Sequence, residues 1–163
     1  MKRVLVGLLL LAMSVSVVAC GSGGNDTGQN YPTDASAFAK PSVSNVPSGW
    51  ELTSDDTDLR LIEYTAPNGD FIQIYYDPVQ GGTSYDGDYL ISLAEDYAIF
   101  TPSSTGTTSV NGHLAGYASL YDSTWEWWEK EIVFVNGGTL IDIYTLYEAV
   151  NEDEANELIN SIY

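Results

Sequence analysis

Hydrophobic positions along the chain fall into three regimes. Residues 4–18 form an uncharged, mostly apolar run behind Lys2 and Arg3. From residue 21 to about 46 the chain is built of Gly, Ser, Asn, Asp, Thr and Pro with few large apolar side chains, the composition of a flexible linker. From Trp50 onward apolar residues alternate with polar ones between tight-turn signals, the pattern of half-buried strands. The alternation predicts a short strand at 50–53, an acidic loop at 54–58, and a strand at 59–66. Pro67-Asn68-Gly69 then separates it from a partner strand at 70–77, because Asn-Gly between apolar runs is a strong hairpin signal. With Asn68 and Gly69 as the two turn residues, Leu61, Glu63 and Thr65 share a face with Ile72, Ile74 and Tyr76. Ile62 and Tyr64 then lie with Phe71 and Tyr75 on the other face.

A Gly-rich loop follows at 78–85, and Asp86 or Asp88 can cap a helix running to about residue 99. Leu90, Leu93, Ala94 and Tyr97 fall on one stripe of that helix. Residues 103–109 read as a polar loop and Val110 as the start of a short strand, with a turn at Asn111-Gly112. The next strand, 113–121, carries Ala115, Gly116 and Ala118, small residues that predict a close neighbour over it. The longest hairpin joins 125–135 to 139–147 across Asn136-Gly137-Gly138. One of its faces collects Trp127, Glu129, Glu131, Val133 and Val135 with Leu140, Asp142, Tyr144 and Leu146. The other collects Trp128, Lys130, Ile132 and Phe134 with Ile141, Ile143 and Tyr147. A terminal helix is expected to start at Asn151 as N-cap, with Glu154 in capping-box position and Ala155, Leu158, Ile159 and Ile162 as its buried stripe.

An antiparallel sheet apolar on both faces needs cover on both, and two helices separated by strands can supply it. The expected fold is α+β, a helix–sheet–helix sandwich. Its domain spans 47–163, behind a segment 1–19 and a linker 20–46.

Residues 1–20 change the picture of where this domain resides. The positive start, the apolar run and Ala19 directly before Cys20 form the three parts of a secretory signal. A run of about 15 residues reaches about 22 Å as a helix, short of a bilayer core of about 30 Å, so a permanent span is disfavoured. Val17-Val18-Ala19-Cys20 resembles the lipobox of prokaryotic lipoproteins. The resemblance implies cleavage after Ala19 and acylation of Cys20 with palmitate-type chains, which would hold the domain at the extracytoplasmic side of the cell envelope membrane. Cys20 is also the chain's one cysteine, so no disulfide supports the domain.

Five basic against 23 acidic residues, a net charge of -18, leave nothing to neutralise phosphates, and nucleic acid is excluded as a partner. Twelve tyrosines and four tryptophans nonetheless argue for a packed core rather than a disordered acidic chain. His113 is the one histidine, and no Gly-x-Ser-x-Gly elbow occurs, so nucleophilic catalysis and zinc chemistry are poorly provided for. Calcium takes oxygen ligands, and Asp55, Asp56 and Asp58 in one loop and Asp86 and Asp88 in another are candidates for it. An EF-hand beginning at Asp56 fails, because Arg60 falls where an oxygen ligand belongs. Glu129, Glu131 and Asp142 share one sheet face, where like charges repel unless solvated or bridged. With Trp127 and Tyr144 beside them they form a candidate interaction surface.

Several stretches resemble the PsbP/Mog1-like family: the entry Pro47-Ser48-Gly49-Trp50, Phe71-Ile72-Gln73-Ile74 ending the first hairpin, the mid-domain helix, Val110-Asn111-Gly112, and Ile159-Asn160-Ser161-Ile162 at the end. The family spans photosystem accessory proteins, Ran-binding factors and exported lipoproteins, so the resemblance implies the fold more than an activity. The expected function is a non-enzymatic, lipid-anchored binding or accessory module for another envelope component, such as a protein, with no cofactor. A calcium- or small-ligand-binding lipoprotein is the alternative, and a carboxylate-based hydrolase the third reading.

Overall fold

A computed structural model describes residues 35–163; Cys20, the signal and most of the linker lie outside the described residues. The elements are β1 (Glu51–Asp56), β2 (Leu61–Thr65), β3 (Phe71–Pro78), α1 (Gly87–Tyr97), β4 (Ser104–Val110), β5 (His113–Asp122), β6 (Trp127–Asn136), β7 (Thr139–Glu148) and α2 (Glu152–Ile159), with 3-10 turns at Ala35–Ala37 and Ala149–Asn151. Among the described residues the strands form one antiparallel sheet in the order β1-β2-β3-β7-β6-β5-β4. The architecture is the expected α+β one.

The faces are set by register. In the larger core Ile62, Tyr64, Ile72, Ile74, Tyr76, Ile132, Phe134, Ile141, Ile143 and Tyr147 meet Trp50, the α2 residues Ala155, Leu158 and Ile159, and Ile162, which lies past the end of α2 in a bridge to Val43. On the opposite face Val133, Val135 and Ala118 meet Leu90 and Ala94 of α1 and Tyr85 before it. Of the α1 stripe, Leu90 and Ala94 are buried, Leu93 is half-buried and Tyr97 is exposed. Asp86 caps α1 by accepting from Tyr89 N at 3.0 Å. Gly116 explains how α1 comes so close: a Cβ there would stand 2.2 Å from the Leu90 carbonyl carbon.

Four expectations are corrected. The first hairpin pairs Thr65 with Phe71 and Ile62 with Ile74, one residue away from the expected register. Its loop is Pro67-Asn68-Gly69: Gly69 N donates to Ala66 O and Ala66 N to Asp70 O, both 2.9 Å, and Gly69 sits at φ +94°. That is a type I turn closed by a left-handed glycine, for which Pro67 at the second position is suited. The slip moves Ile62 and Tyr64 onto one face with Ile72, Ile74 and Tyr76, and Leu61, Glu63 and Thr65 onto the other with Phe71, Gln73 and Tyr75. The polar stretch 103–109 is not a loop but mostly β4, a sheet-edge strand whose Ser and Thr side chains face water. Asp55 and Asp56 belong to β1 rather than to an acidic loop. Asn151 does not cap α2 through its side chain; its Nδ2 donates to Asp70 Oδ2 at 2.7 Å instead.

Residues 38–44, linker by composition, lie along the domain. Phe38 stacks near Tyr76 at 6.2 Å, Ala39 exchanges bonds with the Thr139 hydroxyl, and Ser42 and Tyr163 exchange backbone bonds of 2.9 Å.

Candidate functional site

Helix α1 covers β4, β5 and part of β6, and then ends. The same sheet face continues over β3, β7 and the start of β6, where among the described residues no helix lies above it, and there the surface is concave. The groove holds about 830 Å³, with Tyr97 and Ile99 at the end of α1 as one wall and the Asn68-Gly69-Asp70 turn at one end. Phe71, Gln73 and Tyr75 from β3, Trp127 and Glu131 from β6, and Asp142, Tyr144 and Leu146 from β7 line the rest.

Strand pairing places these side chains. Gln73 pairs with Tyr144, which pairs with Glu131; Tyr75 pairs with Asp142, which pairs with Val133. Glu131 and Asp142 are therefore diagonal neighbours on one face, close enough to interact. Glu131 is 2% exposed. Asp142 keeps part of its surface open, but its Oδ1 is buried without a hydrogen-bond partner.

The electrostatics follow from that burial. Desolvation pushes the Glu131 carboxyl well above the usual carboxylate range, and the hydrogen bond and charge of Asp142 push it further. Asp142 is also raised by burial, while the bond from Glu131 works in the opposite direction and the charge of Asp77 adds to the rise. Both shifts run upward, so the two carboxyls titrate as a unit that shares one proton at neutral pH. The repulsion expected on this face is relieved by a shared proton.

Phenols surround the pair. Tyr97 is pushed up to about 12 by burial first and by Asp142 second. Tyr75 is raised by burial, then by Asp142, Glu131 and Glu63. Tyr144 is raised by burial and by Glu129, whose Oε1 accepts from its hydroxyl at 3.2 Å. Tyr75 Oη donates to Gln73 Oε1 at 3.1 Å, Gln73 Nε2 donates to Glu63 Oε2 at 2.6 Å, and the Phe71 and Tyr144 rings stand 5.6 Å apart. Polar groups at the rim are thus held by neighbours, whereas the buried floor carries the spare acceptor.

Of the expected interaction surface, Trp127, Glu131, Asp142 and Tyr144 line the groove, and Glu129 is bonded to Tyr144 beside it. Phe71, Gln73, Tyr75, Tyr97 and Ile99 were not foreseen. Three of them come from β3, which the expected register placed differently and whose pairing with β7 crosses four intervening elements of sequence.

The candidate calcium aspartates are not brought together. Asp55 pairs with Lys40, Asp56 Oδ1 accepts from Asp58 N and Leu59 N at 2.9 Å, and Asp86 caps α1, with Asp88 in its first turn. Strand β1 is one edge of the sheet, whereas α1 lies over the half that ends in β4.

No protein-family model matches the chain, and no curated protein matches it. Solved structures share its fold. The solution structure of the cyanobacterial PsbP protein CyanoP from Synechocystis superposes with a TM-score of 0.50 at 13% identity, over 89% of this chain and 96% of that one. A crystal structure from Bacteroides thetaiotaomicron gives 0.51 at 15% identity, over 76% of this chain. The match spans 47% of the Bacteroides chain, about half its length. The chain therefore has a PsbP-like α+β fold.

Proposed function

We propose that this chain is a non-enzymatic, lipid-anchored binding module of the cell envelope, and that the groove over Glu131 and Asp142 is its binding surface. The observation that carries the reading is the half of a sheet face that no described element covers, concave and walled by aromatic rings around the buried Glu131 and the partly buried Asp142. Concave, mostly apolar surfaces with a few convergent polar groups are where ligands bind. Cys20 supplies the anchor through its lipobox-like context.

The carboxyl pair supports binding over hydrolysis. Glycosidases hold their two carboxyls about 5 Å or more apart to admit the scissile bond, whereas Glu131 and Asp142 are adjacent, buried and raised by one another as a proton-sharing pair. A shared proton likewise suits a calcium ion poorly, since calcium takes ionised oxygens.

The test is crosslinking in native membranes with a photoreactive phenylalanine analogue at Trp127. The expected result is a discrete protein adduct that disappears when the probe is moved to Thr108 on the β4 edge. Equal labelling from both positions, or no adduct from Trp127, would overturn the envelope-module reading.

A further inference from the structure

We propose that the groove seats a lysine or arginine side chain of an extended segment of a partner protein, with the cationic group over Glu131 and Asp142. This rests on the binding-module reading and names the chemistry of the partner. Among the described residues the three basic side chains are committed elsewhere: Lys40 to Asp55, Arg60 to Asp77, and Lys130 to Glu152 at 3.1 Å. None lines the groove, while Asp70, Glu131, Asp142 and Glu148 do. The floor therefore offers negative charge and an unpartnered buried acceptor, Asp142 Oδ1, with no donor from the described chain. A buried acceptor left without a donor is costly, and an incoming N–H removes that cost. Rings at Phe71, Tyr75, Tyr97 and Tyr144 provide faces that favour a cation.

The rim distinguishes a protein segment from a small amine. Trp127 and Ile99 border the groove, and Ile99 is 77% exposed. Beyond Trp127, the Ala149 N to Glu126 O bond of 2.6 Å brings the β5–β6 turn against the 3-10 turn after β7, where Trp125 and Val150 are 69% and 82% exposed. A small amine would leave these apolar groups in water. An extended segment crossing the groove covers them.

Seating a cation favours the doubly ionised pair, so binding expels the shared proton. The titratable groups facing the pair are Tyr75 and Asp77 of β3, Glu63 of β2, Glu129 of β6, Tyr144 of β7 and Tyr97 of α1, while β5 presents Ala118. None of them is a histidine or a base.

The experiment uses the full chain in nonionic detergent with carbon-13 in the Asp and Glu carboxyls. The probes are the blocked peptide Leu-Ala-Lys-Ala-Leu, the same peptide with norleucine for lysine, and butylammonium. The lysine peptide should shift the Glu131 and Asp142 resonances saturably and bind about tenfold tighter than butylammonium. Release of one proton makes its affinity rise up to about tenfold per pH unit while the pair still holds that proton. Glu131→Gln mimics the protonated partner, so it should abolish that rise, and Asp142→Asn should weaken binding at least as much. Both variants should keep the wild-type backbone spectrum. Equal shifts from the norleucine peptide, or none from the lysine peptide at millimolar concentration, would overturn the cation site. Butylammonium binding as tightly as the peptide would overturn the protein segment. Peptide binding without a membrane crosslink from Trp127 would fail the envelope-module reading and leave the site standing.

Discussion

At the residue scale, Glu131 and Asp142 trade stability for a chargeable floor. Their carboxyls are raised in the folded chain relative to the unfolded one, where values near 4 apply. The folded state thus holds a proton that the unfolded state releases above about pH 4, and stability falls as pH rises from there toward the folded titration. Below pH 4 both states are protonated and the contribution is fully present. Glu131→Gln removes the proton that must be retained, so its melting temperature should exceed wild type at pH 7 and converge on it at pH 4. The difference grows at up to about 1.4 kcal/mol per pH unit, and thermal melts at three pH values would expose its absence. Gly116 makes a second, independent case. A methyl group there meets the Leu90 backbone at 2.2 Å and 2.3 Å, atoms that cannot swing away as a side chain could. Gly116→Ala should therefore push α1 outward and cost about 1–3 kcal/mol, as overpacking does. Unchanged melting would mean that the helix is not seated as described. Because α1 also supplies Tyr97 to the groove, the variant should disturb groove resonances as well.

At the element scale, the junction between β7 and α2 is held by a residue from another hairpin. Asp70 is 7% exposed, and its Oδ2 accepts from Glu148 N at 2.9 Å and Asn151 Nδ2 at 2.7 Å. Asp70→Ala leaves the Glu148 N–H without its acceptor and should cost about 2 kcal/mol by chemical denaturation; Asn151→Ala, which leaves that bond in place, should cost less. Local pattern alone puts Asn151 at the helix start, which is right, but it cannot foresee that Asp70 claims its side chain from 81 residues away. The same boundary runs through the rest of the fold. The β6–β7 faces were readable because the candidate two-residue turns differ by whole two-residue steps in pairing, which preserves side-chain sides. The β2–β3 faces were not, because Pro67 favours a three-residue loop over the two-residue turn that Asn-Gly suggests, and one residue inverts a strand. Strand β4 was hidden by its own role: an edge strand of Ser and Thr has little apolar alternation to show, and only pairing with β5 defines it. Half of the groove was therefore legible, the half carried by one hairpin. The β3 and α1 half depends on strand order.

At the scale of the whole molecule, the described chain begins at one end of the sheet and the groove opens toward the other. Ala37 lies beside the Gly137 turn, and Ala39 donates to Thr139 Oγ1 at 3.0 Å and accepts from it at 2.8 Å. Trp125, Val150 and the Asn68-Gly69 turn lie at the far end of β6 and β7, strands of 10 residues each, or about 30 Å away. On the proposed reading of Cys20 as an anchor, the exposed tryptophan end is the one remote from Ala37 and Ala39, and we propose that a partner rather than the bilayer meets it. A net charge of -18 adds repulsion from anionic headgroups. Anchor and groove are then separable. Cys20→Ser should move the chain from the membrane to the soluble fraction while peptide binding stays within about twofold of wild type, since the substitution leaves every groove-lining residue between Asn68 and Glu148 unchanged. Conversely, Trp125→Ser with Val150→Ser should leave fractionation and melting nearly unchanged, both side chains being exposed, and should reduce the Trp127 crosslink severalfold. Membrane retention of the Cys20→Ser chain would remove the lipid anchor. Loss of fractionation in the double variant would instead assign the apolar end to the bilayer, reversing the orientation argued from the sheet.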